Sequence, residues 1–295
     1  MMQQNLFDAS EATASWGGSW TEEKLKAFEN YVKAYLKIMN KYRDRYHWRL
    51  IYFDGFAGSG YRLQKEDDLQ IFPQDSDVYK GAAERVLKIP DRGFDFYYFI
   101  DKDQKASEAL GAKLKKLKPG AHLIFRADDA GNQIKRWAYK VGTNKEYKTL
   151  MLLDPFGMQI KWDSIELLKE RSVDLWLLLP SGVIVNRLLK KTGGLTAANR
   201  LVDFFGMSEA DIQNYFYFKE ESLTFFGEVE AIRKCEEPIQ KIAELYISRL
   251  QKIFPYVSKK PLRLLNSKNC PIFHFVFASK NETAVKIASD ITGKL

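Results

Sequence analysis

Four short apolar runs in the first part of this 295-residue chain each end on an aspartate. Asp54 follows residues 49–53, Asp101 follows 94–100, Asp128 and Asp129 follow 122–125, and Asp154 follows 149–153. Runs this short, rich in branched and aromatic side chains, read as strands buried on both faces of a sheet. In an open parallel sheet, ligands bind beyond the carboxyl ends of the strands. A single aspartate there usually serves as a turn residue or a helix cap. Four along one rim, beside a glycine-rich turn, point to a binding site.

The turn is Asp54-Gly55-Phe56-Ala57-Gly58-Ser59-Gly60. Its small residues let backbone approach a ligand closely, and a strand-to-helix turn brings that ligand to a helix N-terminus. This is the character of a nucleotide-cofactor loop. The glycines at 55, 58 and 60 do not match the Gly-x-Gly-x-x-Gly dinucleotide fingerprint, and no Lys-Ser/Thr pair follows Gly60 as in a P-loop. Dinucleotides and triphosphates are therefore disfavoured.

The elements that must position these residues follow from periodicity. Residues 21–46 carry Leu25, Phe28, Val32, Tyr35, Leu36 and Met39 on one helical face. Lys33, Lys37, Lys41, Arg43 and Arg45 crowd the second half, which reads as a solvated face at the negative end of the dipole, with a phosphate-contacting stripe as the alternative. Residues 61–79 read as an irregular cover for the loop. Helical patterns then alternate with strands through a fifth strand at 173–179, which predicts an α/β fold with a mostly parallel sheet of about seven strands and right-handed crossovers. From 183 to 256 only helical patterns are visible, the clearest at 238–254. Strands at 262–265 and 272–278, joined by a short loop, predict an antiparallel pair, and a helix at 283–291 closes the chain. The domain reading is a tail at 1–20, a Rossmann-like domain from 21–182 and 257–295, and a helical insertion at 183–256.

Composition narrows the partners. The net charge is +8 and the pI is near 9.2, which favours an anionic partner, nucleic acid first. Cys235, Cys270 and three scattered histidines give no zinc-ligand spacing and no disulfide framework, so no metal is expected and a reducing cytoplasm fits. The N-terminus has no basic-then-apolar signal pattern, and no apolar run reaches the length of a membrane span.

The loop resembles motif I of class I S-adenosylmethionine (SAM)-dependent methyltransferases, in the Phe-x-Gly-x-Gly form common among enzymes that methylate exocyclic amino groups of nucleic-acid bases. The resemblance implies a SAM site made of Asp54, Phe56, Gly58, Ser59 and Gly60, with Asp101 on the ribose hydroxyls and Asp128 at the adenine. It places Asp154-Pro155-Phe156-Gly157 at motif IV, beside the reactive methyl. Base amino-methyltransferases usually show Asp/Asn-Pro-Pro-aromatic there. The Asp-Pro-Phe-Gly form is similar to that of tRNA guanine N2-dimethyltransferases. Over most of its length the chain resembles the three-Cys-motif partner protein (TcmP) family. The matching features are a helix opening Thr21-Glu22-Glu23-Lys24, Phe53 through Gly60, Leu153 through Gly157, and Leu179-Pro180-Ser181-Gly182 followed by Asn186-Arg187. That resemblance implies a methyltransferase-like protein associated with a separate three-Cys-motif, radical-SAM-like protein, which would carry the cysteines this chain lacks.

The chemistry of these positions is coherent. SAM is a strong methyl donor, so the protein need mainly supply position and electrostatics. An exocyclic amine is a poor nucleophile because its lone pair is delocalised into the ring. Asp154 and the Pro155 carbonyl could accept its two hydrogens and draw the nitrogen towards tetrahedral geometry, while Phe156 stacks on the base; core packing is the alternative for Phe156. Asn186 and Arg187 are candidate substrate contacts, with a salt bridge from Arg187 to Asp163 or Asp174 as the alternative. Lys259, Lys260, Arg263 and Lys268 form a basic group whose default reading is a solvated face. Two function classes remain open: a methyltransferase on a nucleic-acid base, and an accessory module that binds nucleic acid or a three-Cys-motif protein. Methylation of a protein or small molecule is a third possibility.

Overall fold

The computed structural model describes residues 19–58, 81–224 and 227–295. Ser59, Gly60 and the segment read as a loop cover lie outside the described residues. The first five strands are β1 (Arg49–Asp54), β2 (Phe96–Asp101), β3 (Leu123–Ala127), β4 (Tyr147–Leu153) and β5 (Val173–Leu179). They pair in parallel in the order β3-β2-β1-β4-β5. The helices between them are α2 (Ala82–Leu87), α3 (Gln104–Leu117), α4 (Ala130–Val141) and α5 (Trp162–Glu166), after α1 (Ser19–Tyr42) at the start. Asp103 and Asp129 cap α3 and α4, each accepting two first-turn N–H groups.

Beyond β5 the sheet turns antiparallel. β10 (Pro271–Ser279) pairs with β5, and both β8 (Tyr256–Val257) and β9 (Leu262–Leu265) pair with β10. The eight-stranded sheet is mostly parallel and Rossmann-like, and α9 (Glu282–Thr292) closes it. No helix among the described residues is long and apolar enough to cross a membrane.

Alternation along the strands divides the core in two. Ile51, Phe53, Leu175, Leu177 and Val276 face a layer with Ile134, Trp137 and Ile165. Leu50, Tyr52, Trp176, Phe275 and Phe277 face α1, which contributes Trp20, Phe28, Tyr31 and Val32. Trp176 is the centre of that second layer, with ring centroids 4.5 Å from Phe275, 5.0 Å from Phe277 and 5.5 Å from Tyr31. At the far end of α1, Arg43 is not solvated as its position in a basic run suggests. It is buried, bonded to Asp95 at 2.6 Å and to the Gly93 carbonyl at 2.9 Å. Asp95 also accepts the Leu50 N–H, so one ion pair fixes α1 against the start of the sheet.

The expectation of a purely helical insertion needs correction. A π-helical turn (Ser181–Val185) leads into a short helical turn, then α6 (Ala198–Phe205) and α7 (Glu209–Phe216). An antiparallel pair follows, β6 (Tyr217–Thr224) with β7 (Gly227–Lys234), before α8 (Pro238–Leu250). These strands were invisible to periodicity because the pair joins no core sheet. Lys219, Glu220, Glu221 and Arg233 replace the alternating apolar face, and an Arg233–Glu220 ion pair at 2.6 Å links the strands instead.

Trp176→Ala is expected to cost about 3–5 kcal/mol of unfolding free energy by urea titration, since the aromatic layer is held on both sides by strands and α1.

Candidate active site

The sheet order sets the order of groups along the carboxyl rim. Asp128 follows β3, Asp101 ends β2, Asp54 ends β1, Asp154 follows β4 and Ser181 follows β5. The loop after β1 crosses this rim from one neighbour to the other. Gly55 N–H donates to the Leu152 carbonyl of β4, Ala57 N–H to the Ile100 carbonyl of β2, and Gly58 N–H to Asp101 Oδ2, each at 2.9 Å. Gly58 has a φ of +62°, in the left-handed region that favours glycine. A Cβ at Gly55 would stand 2.6 Å from Leu153 Cδ2, so β4 packs where a side chain would be.

The four carboxylates are held in different states. Asp54 is 2% exposed; it accepts the Tyr52 hydroxyl at 3.0 Å and the Phe56 N–H at 3.2 Å. Burial pushes its pKa up to about 7, with Asp154 pushing the same way, while its two hydrogen bonds and Lys24 pull back. Asp54 therefore fixes the turn from within the core. Asp101 uses one oxygen for Gly58 N–H and the other for Asp103 N–H at 2.8 Å. A carboxylate oxygen has two acceptor positions, so each keeps one for a ligand. Asp128 is more fully engaged: it accepts from Gln133 Nε2 at 2.6 Å, Asp129 N–H at 2.7 Å and Asn132 Nδ2 at 3.2 Å, with Arg136 at 3.6 Å. Those bonds, the Gln133 one foremost, hold its pKa below the usual carboxylate value.

Asp154 faces a partner that sequence reasoning missed. Lys24 Nζ, from the first turns of α1, lies 2.5 Å from Asp154 Oδ2. Lys24 is only 5% exposed, and its ammonium is 5.6 Å from the Trp20 ring centroid. A signal was present: Lys24 is four residues from both Trp20 and Phe28, squarely on the buried face of α1. Beside Asp154, Pro155 is buried and Phe156 is 62% exposed on the rim. Phe56 is half-buried against the core layer of α4 and α5.

Asn186 and Arg187 sit past β5, in the helical turn that follows it. The Asn186 side chain and carbonyl accept from Lys234 Nζ at 2.7 and 3.0 Å, which ties the base of the β6–β7 pair to the rim. Arg187 is exposed and pairs with neither Asp163 nor Asp174. A second buried pair was also missed: Ser181 Oγ lies 2.7 Å from His274 Nδ1. Ser181 and His274 are 93 residues apart, so no local spacing could have joined them.

Comparison with known proteins adds little to this geometry. No family model matches the chain, and no curated protein matches it. Among solved structures, Trm1 from Pyrococcus horikoshii in complex with S-adenosyl-L-methionine is 12% identical with a TM-score of 0.38, covering 92% of this chain and 72% of that one. A protein from Legionella pneumophila is 13% identical with a TM-score of 0.39, covering 88% and 97%. An S-adenosylmethionine-dependent methyltransferase from Clostridium acetobutylicum is 10% identical with a TM-score of 0.34, covering 83% and 91%.

Two stability measurements check the site. Asp54 keeps its proton to about pH 7 in the folded chain, against an ordinary value of 3.8. Its contribution is thus fully present below pH 3.8 and lost as pH rises through 7. The stability of the wild type relative to Asp54→Asn is expected to fall by on the order of 3 kcal/mol between about pH 4 and 8; a flat difference would count against the assignment. Lys24→Met is expected to cost about 2 kcal/mol by leaving Asp154 unpaired, and the Lys24→Met/Asp154→Asn double variant to recover at least half of that.

Proposed function

We propose that this chain is a SAM-dependent methyltransferase acting on an exocyclic amine of a nucleic-acid base. The observation that carries the reading is the adjacency, on neighbouring strands, of a glycine turn with an under-used Asp101 and of Asp154-Pro155-Phe156 with an exposed aromatic ring. The residues fit the cofactor: Asp101 retains an acceptor position on each oxygen for vicinal hydroxyls, and the backbone at Gly58 takes a conformation that allows close approach. Asp101 would hold the ribose, the loop backbone the methionine part, and Asp128 the adenine side. When bound, SAM supplies an activated methyl group.

The chain's own contribution lies around Asp154. Its Oδ2 is occupied by Lys24, which orients the carboxylate. Oδ1 is then the atom that accepts a hydrogen from the base amine, with the Pro155 carbonyl accepting the other. Removing N–H density towards two acceptors draws the lone pair out of conjugation with the ring. The proton leaves through Asp154 Oδ1. Phe156 offers a flat apolar surface for a base taken out of its stack.

The same ion pair favours a second reading. If Lys24 and Asp154 serve only to dock α1, the chain is an accessory module that keeps the fold and engages nucleic acid or a three-Cys-motif protein, as its resemblance to the TcmP family suggests. Isothermal titration and a labelled-methyl assay on total tRNA, rRNA and DNA separate the two. Asp101→Ala is expected to weaken SAM binding at least tenfold, and Asp154→Ala to leave binding intact while abolishing transfer. SAM binding with no transfer to any nucleic acid would support the accessory reading; absence of SAM binding would sink the first.

A further inference from the structure

The rim continues past Asp154 into a cleft of about 700 Å³ between the first turn of α8 and the strands β9 and β10. Its floor is sheet. Arg263 on β9 is the register partner of His274 on β10, so their side chains leave the same face. Lys259 and Lys260, between β8 and β9, line it together with residues 238–240 of the 13-residue α8. Three cations meet one carboxylate, Glu237, in this lining. None of the ion pairs among the described residues uses Lys259, Lys260 or Arg263.

The buried histidine is an independent sign of a ligand. His274 is 1% exposed and lines the cleft; Nδ1 is taken by Ser181, and Nε2 has no partner among the described residues. Buried polar atoms are nearly always paired, so this nitrogen asks for a group that the chain itself does not provide. Burial and the nearby Arg263 push its pKa down to about 4, so the ring is neutral at physiological pH. The Ser181 hydroxyl can donate to Nδ1, and in that tautomer the ring proton sits on Nε2, which becomes a donor. The first turn of α8 has no side-chain cap, and Pro238 at its start has no N–H to satisfy. The N–H groups of Ile239 and Gln240 remain as further oriented donors. The cleft thus offers positive charge and hydrogen-bond donors, the complement of a phosphate.

We infer that this cleft holds a backbone phosphate of a single nucleic-acid strand whose target base lies at Asp154. His274 is the register partner of Leu179, the last residue of β5, and β5 neighbours β4, which carries Asp154 at its end. Two strand spacings, roughly 10 Å, separate the two positions along the rim. A free anion would need no such alignment; a strand running along the rim does. The identity of the strand rests on the nucleic-acid reading above, whereas the phosphate chemistry does not.

The test uses the full chain, fluorescein-labelled single-stranded RNA and DNA of roughly 12 nucleotides, and anisotropy between about 50 and 200 mM salt. The Lys259→Gln/Arg263→Gln variant changes only exposed side chains. It is expected to bind at least tenfold more weakly and to lose about 1.4 units of salt slope, roughly 0.7 for each charge removed from a single-strand contact, with SAM affinity by calorimetry unchanged. With three histidines in the chain, 15N spectra resolve His274, and its Nε2 resonance is expected to shift on adding the oligonucleotide. Equal affinity of wild type and variant, or an unmoved Nε2, overturns the cleft assignment and leaves the nucleic-acid substrate standing. Binding of SAM without either oligonucleotide removes both. Inorganic phosphate that shifts Nε2 where the oligonucleotide does not marks a free-anion site and overturns the strand.

Discussion

Lys24 can reach Asp154 only because α1 lies across one face of the sheet, and much else depends on that packing. Trp20, Phe28 and Tyr31 bury one face of α1 against Trp176, Phe275 and Phe277, while Arg43 locks its other end to Asp95. A lysine that is 5% exposed is tolerable when its ammonium meets a carboxylate at 2.5 Å. The apolar layer thus positions the charge, and the charge positions the carboxylate at the rim. A helix that precedes the first strand becomes part of the site at the end of the fourth.

The rim also illustrates how environment divides four chemically identical groups. Asp54 sinks into the core and retains its proton towards neutral pH; its work is to hold the turn through Tyr52 and Phe56. Asp128 is largely engaged by Asn132 and Gln133 in the first turns of α4. Asp101 and Asp154 keep acceptor capacity where a ligand could use it. Spacing in a sequence cannot make this distinction, because it depends on which donors the neighbouring strands and helices bring to each carboxylate.

The insertion between β5 and β10 couples this rim to the basic side of the molecule. Lys234, at the end of β7, binds the Asn186 side chain and the Leu189 carbonyl, and α8 stands over the face of the sheet that bears His274. The excess positive charge of the chain therefore has a local expression in Lys259, Lys260 and Arg263, beside a histidine with an unsatisfied nitrogen. Net charge alone suggests an anionic partner; placement turns it into a surface that a strand could follow.

The sequence by itself determined the α/β alternation, the glycine turn and the aspartate at each strand end, because strand and helix periods and small-residue turns are local properties of the chain. It also foretold the antiparallel β9–β10 pair, whose short connecting loop permits little else. The β6–β7 pair escaped it because two strands outside the core sheet need no alternating apolar face. Only the tertiary structure decided that Arg43 is buried, that Lys24 meets Asp154 across 130 residues, and that Ser181 meets His274 across 93. Those contacts arise from packing two layers against a twisted sheet, and no window along the chain contains both partners.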